Sequence, residues 1–134
     1  MKKIVLLVLC LIFSLSSFSQ NEKITLVKDG KSDYVIVVPH HHSYWILYSA
    51  YLLQHDIYKV TNCLIPIYDD LSKKRKKEIC ISYSRRFDPK KIKAGYGYSI
   101  YTDKEKIFIY GEDNVLFDNP NYAVVDFLEK NIEE

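Results

Sequence analysis

The sequence lacks the short motifs that identify most catalytic and nucleotide-binding sites. It contains no GxSxG turn, no P-loop and no HExxH pair, and no cysteine and histidine are arranged as an activated nucleophile. It also has no cysteine pair at the spacing of a zinc site. We therefore expect no cofactor and no metal, and no catalytic residue can be assigned from a motif.

A net charge of one sign is also lacking once the N-terminal end is set aside. The 134 residues include 19 basic and 17 acidic side chains, and two of the basic ones, Lys2 and Lys3, lie in the first 19 residues. The rest of the chain has 17 of each kind and no net charge. A protein without overall basic character is not expected to bind nucleic acid.

A long apolar run occurs only at the N-terminus. Two lysines precede the apolar residues 4–13, and small serines follow at positions 17 and 19. This pattern is typical of a secretory signal peptide and is too short for a membrane span. We predict cleavage between Ser19 and Gln20, which leaves one domain over residues 20–134 in the periplasm or outside the cell. Lipid attachment at Cys10 is disfavoured because a bulky leucine precedes it.

Cysteine is scarce as well, with three in the sequence. Cleavage of the signal peptide would leave Cys63 and Cys80. Two thiols in an oxidising compartment could form a disulfide, which would be worth about 3 kcal/mol for a loop of this length. The alternative is a buried Cys80 in a strand and a free Cys63 in a turn, and the sequence leaves both open.

The pattern of elements predicts an α/β (α+β) fold built around one βαβ unit. The apolar run 34–38 is typical of a central strand buried on both faces. A helix from Tyr44 to Thr61, with Ser43 as its N-cap and Asn62 ending it in the left-handed conformation, leads to a short strand at 64–68. Pro66 places that strand near a sheet edge. Further strands are predicted at 22–28, 78–83, 97–101 and 106–110, with a closing helix at 121–131. We expect a mixed sheet of about five or six strands with both helices packed mainly on one face.

The first helix carries two apolar rows with the same alternating spacing of four and three residues. The rows lie about 200° apart around the helix. The row that we assign to the sheet comprises Ile46, Ala50, Leu53, Ile57 and Val60. The opposite row comprises Tyr44, Tyr48, Tyr51, His55 and Tyr58. This outer row is either a second packing layer or an exposed aromatic face for a partner or a sugar ring, and the sequence leaves both open.

Two polar groups next to the helix have simple explanations. His40, His41 and His42 are adjacent in a loop, and adjacent residues rarely converge on one metal ion. Asp69 and Asp70 are typical of acids in a turn. The paired carboxyl groups of a glycosidase lie on either side of a sugar-binding cleft, and the sequence near these two acids does not indicate such a cleft.

Basic residues at 73–77, 85–86 and 90–91 predict a local basic surface. Its usual meaning is a solvated loop. The more specific alternative is a surface that contacts acidic glycans or anionic lipid headgroups.

The order of elements resembles a known family. The segments that carry the resemblance are ITLVKDGKSDYVIVVP (24–39), SAYLLQHDIYKVTNCLIPIYDD (49–70), KEICIS (77–82), GYSIYTDKEKIFIYG (97–111) and YAVVDFLEK (122–130). Together they look like the N-terminal α/β domain that precedes the catalytic barrel in β-N-acetylhexosaminidases and family 67 α-glucuronidases. The helix of that family carries Ala-Ala-x-x-Leu-Gln and ends in Thr-Gly, where this sequence has Ser49-Ala50, Leu53-Gln54 and Thr61-Asn62.

The resemblance implies an accessory, non-catalytic domain. In the family the last helix leads into the barrel that holds the catalytic carboxylates, whereas this sequence ends at Glu134, so we carry no catalytic residue over. Tyr44, Tyr51 and Tyr58 occupy helix positions where relatives are polar. We expect a secreted domain with a binding or assembly role in carbohydrate metabolism, in contact with a protein partner, a glycan or a second copy of itself. The alternatives are a carbohydrate-binding module that uses the tyrosine face and a truncated remnant of a glycosidase.

Overall fold

The computed structural model describes residues 24–87, 90, 98–111, 113–114 and 117–131. Its strands are β1 (Val35–Val38), β2 (Ile67–Asp69), β3 (Glu78–Ile81), β4 (Tyr98–Asp103), β5 (Lys106–Gly111), β6 (Asp113–Asn114) and β7 (Phe117–Asp118). Its helices are α1 (Tyr44–Thr61) and α2 (Asn119–Asn131). The predicted signal peptide and its cleavage site lie outside the described residues and stay predictions.

Five strands form a mixed sheet in the order β2-β1-β3-β5-β4. The pairs β2-β1, β1-β3 and β3-β5 are parallel, and β4 runs antiparallel to β5 at one edge. The predicted βαβ unit consists of β1, α1 and β2, with Ile36 opposite Ile67. The strands β6 and β7 form a separate antiparallel pair. The predicted α/β fold with a mixed sheet is confirmed.

The opening strand predicted at 22–28 is wrong over its described part. Lys28 makes only an isolated bridge to Lys31, across a turn at Asp29 and Gly30. Both turn residues have positive φ, 52° and 71°, as an Asp-Gly pair predicts. The segment has no place beside β1 because β2 and β3 occupy both edges of that strand. Its apolar side chains pack against the core instead.

The main core lies between the sheet and the two helices, which pack on the same face. Strand residues such as Ile36, Ile79 and Ile109 are completely buried there. The first four residues of the predicted inner row of α1 are buried with them. The prediction for the fifth, Val60, is wrong because this side chain is 52% exposed. Val60 lies in the last turn of α1 and is not among the residues that pack in the core, so the buried row ends at Ile57.

Both ends of α1 have the caps that the sequence predicts. The Ser43 Oγ accepts a hydrogen bond from the N–H of Ile46 at 3.4 Å, which caps the N-terminal end. At the other end, Asn62 adopts the left-handed conformation with φ 56°, and its N–H donates to the carbonyl of Tyr58 at 2.7 Å. With the ends fixed, the packing of the inner row sets the direction in which the outer row faces.

The sheet face away from the helices contains a completely buried carboxylate, that of Glu78 at the start of β3. The backbone N–H of Arg75 donates to it at 2.8 Å, and the Lys106 ammonium group donates to its other oxygen. The Arg86 Nε lies 3.5 Å from the carboxylate, and the same buried guanidinium donates to the carbonyl of Ser72 at 2.6 Å. This network joins the segments on both sides of β3 to β5.

The neighbours of Glu78 keep it ionised. Burial is the largest single effect and raises the pKa of Glu78, but the hydrogen bonds from Lys106 and Arg75 and the charges of Lys106 and Arg86 together lower the pKa below its ordinary value. Because its pKa is lowered in the folded state, this carboxylate contributes its full stabilisation when the pH is above its ordinary pKa. The contribution is lost as the pH falls through the lowered pKa.

We expect Glu78→Gln to lower the free energy of unfolding by about 3 kcal/mol, because it leaves the buried Arg86 without its counter-charge. The control Glu105→Gln removes a half-exposed partner of Lys76 and should cost at most about 1 kcal/mol. Urea unfolding near neutral pH measures both. When urea unfolding is repeated at acidic pH, the wild type should lose more stability than the Glu78→Gln variant. An equal loss in both proteins would contradict an ionised Glu78.

Candidate functional site

The outer row of α1 is exposed to solvent along its whole length. Tyr44 is 70% exposed, and Tyr48, Tyr51 and Tyr58 are each 44–55% exposed. The imidazole of His55 is exposed as well. The structure therefore has an aromatic surface at this position rather than a second packing layer. We call these five residues the α1 outer face.

Trp45 belongs to the same surface, although the row pattern in the sequence does not include it. Its side chain is 39% exposed, and its ring lies edge-on to that of Tyr44 with 5.3 Å between centroids. The rings of Tyr44 and Tyr48 lie 6.0 Å apart and are nearly parallel, at 16°. A rotation of about 100° from Tyr44 puts Trp45 on the flank of the row, and this signal could have identified it.

The α1 outer face is nearly free of charge. The helix contains one acid, Asp56, and one base, Lys59, and its first twelve residues contain neither. The Nδ1 of His55 lies 3.0 Å from the Asp56 Oδ1. A helix at the surface of a protein usually presents charged and polar residues to water. An uncharged aromatic face is instead typical of a contact surface, and it offers area for apolar side chains or for ring stacking.

The histidine and aspartate groups at the carboxyl ends of β1 and β2 hold loops in place. The buried Asp70 carboxylate accepts hydrogen bonds from the N–H of His40 at 2.9 Å and of Arg85 at 2.7 Å. The Asp69 Oδ2 lies 3.1 Å from the His40 Nδ1. This hydrogen bond has the largest effect on the pKa of Asp69 and, with two N–H groups of the following turn, lowers it. Among the described residues, no group of three or more His, Cys, Asp or Glu side chains could hold a metal ion.

Part of the predicted basic surface is paired with acidic neighbours. The ammonium group of Lys76 lies 2.6 Å from the Glu105 carboxylate, and that of Lys77 lies 3.1 Å from a neighbouring aspartate. The guanidinium of Arg75 lies 4.1 Å from the centre of a tyrosine ring. Lys91 lies outside the described residues. Two of the five basic residues at 73–77 are therefore paired with acids, as in a solvated loop with surface ion pairs.

Cys63 and Cys80 are both buried free thiols. Cys80 lies in β3 among Val37 and Phe108, on the sheet face away from the helices, and burial raises its pKa to about 12. The structure therefore lacks the disulfide that the sequence left open. Instead, Cys80 serves as an apolar strand residue, and a thiol with so high a pKa is unreactive near neutral pH.

No protein-family model matches this chain, and no curated protein is significantly similar to it. The family resemblance that the sequence indicates therefore stays a hypothesis. Within the part of the chain that the structure describes, no helix combines the length and the apolar character needed to cross a membrane.

We expect Tyr51→Ala to change the free energy of unfolding by less than about 0.5 kcal/mol, because more than half of this side chain is already exposed to water. Leu53→Ala, two residues along the same helix but on the buried row, is the matched control and should cost about 2–5 kcal/mol. Urea unfolding of both variants at dilute protein concentration measures the difference. A cost of several kcal/mol for Tyr51→Ala would show instead that this ring is part of the core.

Proposed function

We propose that this chain is a secreted, non-catalytic binding domain similar to the accessory N-terminal domain of β-N-acetylhexosaminidases and family 67 α-glucuronidases. Its binding surface is the α1 outer face. One observation carries the proposal: an 18-residue helix buries one apolar row and exposes an aromatic, almost uncharged row on the opposite side. Contiguous exposed apolar surface is uncommon on soluble proteins and marks sites of interaction.

The order of elements supports the family part of the proposal. The resemblance implies a βαβ unit, a hairpin and a closing helix, and the described residues form β1-α1-β2, the β4-β5 hairpin and α2 in that order. In the glycosidases one surface of this domain packs against the barrel. A shared fold does not by itself give a function, so the binding role rests on the α1 outer face.

The buried acids support a non-catalytic role. A glycosidase needs two carboxyl groups about 5–10 Å apart on either side of a bound sugar. Glu78 is enclosed by Arg86 and Lys106, and both oxygens of Asp70 accept backbone hydrogen bonds. Either acid would have to give up these partners before it could act on a substrate.

Surface plasmon resonance with two immobilised probes, an oligosaccharide array and the chain itself, tests the binding role. We expect binding to at least one probe, and Tyr51→Ala should weaken it at least about tenfold. Leu71→Ala removes a 50% exposed leucine outside α1 and should bind like the wild type. Absence of binding to both probes contradicts the proposal. Hydrolysis of aryl glycosides at an enzyme-like rate, abolished by changing one acid of the chain, would contradict it as well.

The ring cluster at the N-terminal end of α1 favours carbohydrate binding as a second candidate function. The nearly parallel rings of Tyr44 and Tyr48 with Trp45 edge-on form a platform against which a sugar ring can stack. In that case Trp45→Ala and Tyr48→Ala should each weaken binding to the oligosaccharide array at least about tenfold. Tyr58→Ala, at the far end of the helix, should have little effect, and an equal loss for all three variants would contradict a local sugar platform.

A further inference from the structure

We propose that the α1 outer face binds a second copy of the chain, so that two α1 helices pack antiparallel with Tyr51 at the two-fold axis. This inference rests on the proposed function, because it names the occupant of the same surface. Four properties of that surface carry it, namely the length of the row, its symmetry, its charge distribution and its area.

The row is long and straight, which indicates an extended partner. Its residues follow at intervals of four, three, four and three positions, a spacing that keeps them on one stripe along the helix. From Tyr44 to Tyr58 the row covers about 20 Å of helix. The inner row has the same spacing and meets the sheet, so the spacing alone gives the shape of the partner and not its identity.

The symmetry of the row makes it complementary to itself. Relative to Tyr51, the other members lie at −7, −3, +4 and +7, and reversal of the helix direction gives almost the same pattern. In an antiparallel pair, Tyr51 meets Tyr51 of the second copy, Tyr44 meets Tyr58, and Tyr48 meets His55. A two-fold interface requires this kind of self-complementary surface.

The charges of α1 favour the antiparallel arrangement. Asp56 and Lys59 both lie in the C-terminal part of the helix, whose N-terminal half carries no charge. The antiparallel pair places each of them opposite the uncharged N-terminal half. There Lys59 of one copy approaches Trp45 of the other, where a cation–π contact is favourable. The dipoles of two antiparallel helices point in opposite directions, which also favours the antiparallel arrangement.

The area of the surface suits a reversible dimer. The exposed parts of the four tyrosines and Trp45 amount to roughly 500 Å² per copy. A stable interface of standard size buries about 800 Å² per partner. With the flanking side chains of α1 added, the helix pair approaches the lower end of that range. We therefore expect a dissociation constant of about micromolar order.

Sedimentation of the full chain, expressed in an exporting host, tests the dimer. At about 100 µM, well above a micromolar dissociation constant, the wild type should sediment as a dimer. Tyr51→Lys should sediment as a monomer because it brings two ammonium groups together at the axis. Leu71→Lys makes the same change at a 50% exposed leucine outside α1 and should remain dimeric. A monomeric wild type, or equal loss of the dimer in both variants, would overturn the proposal.

Cysteine cross-linking tests the direction of the helices. Under mild oxidation, Tyr51→Cys should form covalent dimers by itself. Tyr44→Cys and Tyr58→Cys should each cross-link poorly alone and efficiently when the two proteins are mixed. The unsubstituted chain, which retains Cys63 and Cys80 after cleavage of the signal peptide, sets the background. Efficient cross-linking of Tyr44→Cys with itself would show a parallel pair and overturn the antiparallel assignment.

The dimer and the binding role fail in distinguishable ways. A wild type that is monomeric but binds the oligosaccharide array through Tyr51 overturns the dimer and supports the binding face. A monomeric wild type that binds neither probe overturns both proposals.

Discussion

The sheet can cover only one of the two apolar rows of α1, and the other features of the surface depend on this constraint. Because the rows lie about 200° apart, packing Ile46, Leu53 and Ile57 into the core turns Tyr51 and its neighbours toward water. Each buried aliphatic side chain is worth about 1.5–3 kcal/mol. Exposure to water costs a tyrosine side chain less free energy because its hydroxyl remains hydrated. The aliphatic row therefore takes the sheet, and the aromatic row is left for a ligand or partner.

The opposite face of the sheet is closed in a different way. Its apolar layer includes Val37 and Phe108, and Phe87 from the segment after β3 packs against that layer. The same segment is held down by Arg86, which reaches the buried carboxylate of Glu78. Parallel strands need cover on both faces, and here one face receives two helices while the other receives an anchored loop. Among the described elements, none covers the α1 outer face in a comparable way.

The features that the sequence predicted correctly depend on residues close together in the chain. The caps of α1, its two rows and the edge position of the strand after Pro66 are all local signals. The opening strand at 22–28 failed because local alternation does not reveal whether the next strand in the chain, β1, has a free edge. The role of Glu78 was missed because its partner Lys106 lies 28 residues away. Likewise, the spacing of the inner row does not reveal where its burial ends, and Val60 is exposed. Periodicity gave the direction of the tyrosine row but not what covers it.

The residue type on the outer row favours a reversible contact rather than permanent burial. A row of leucines in the same positions would be costly to expose and would promote aggregation of the unbound protein. Tyrosine supplies a large, rigid contact area with few rotatable bonds, so little entropy is lost on binding. The near absence of charge also avoids the cost of removing ions from water at an interface. These properties suit a surface that is stable in water and still gains free energy when a second copy or a sugar ring covers it.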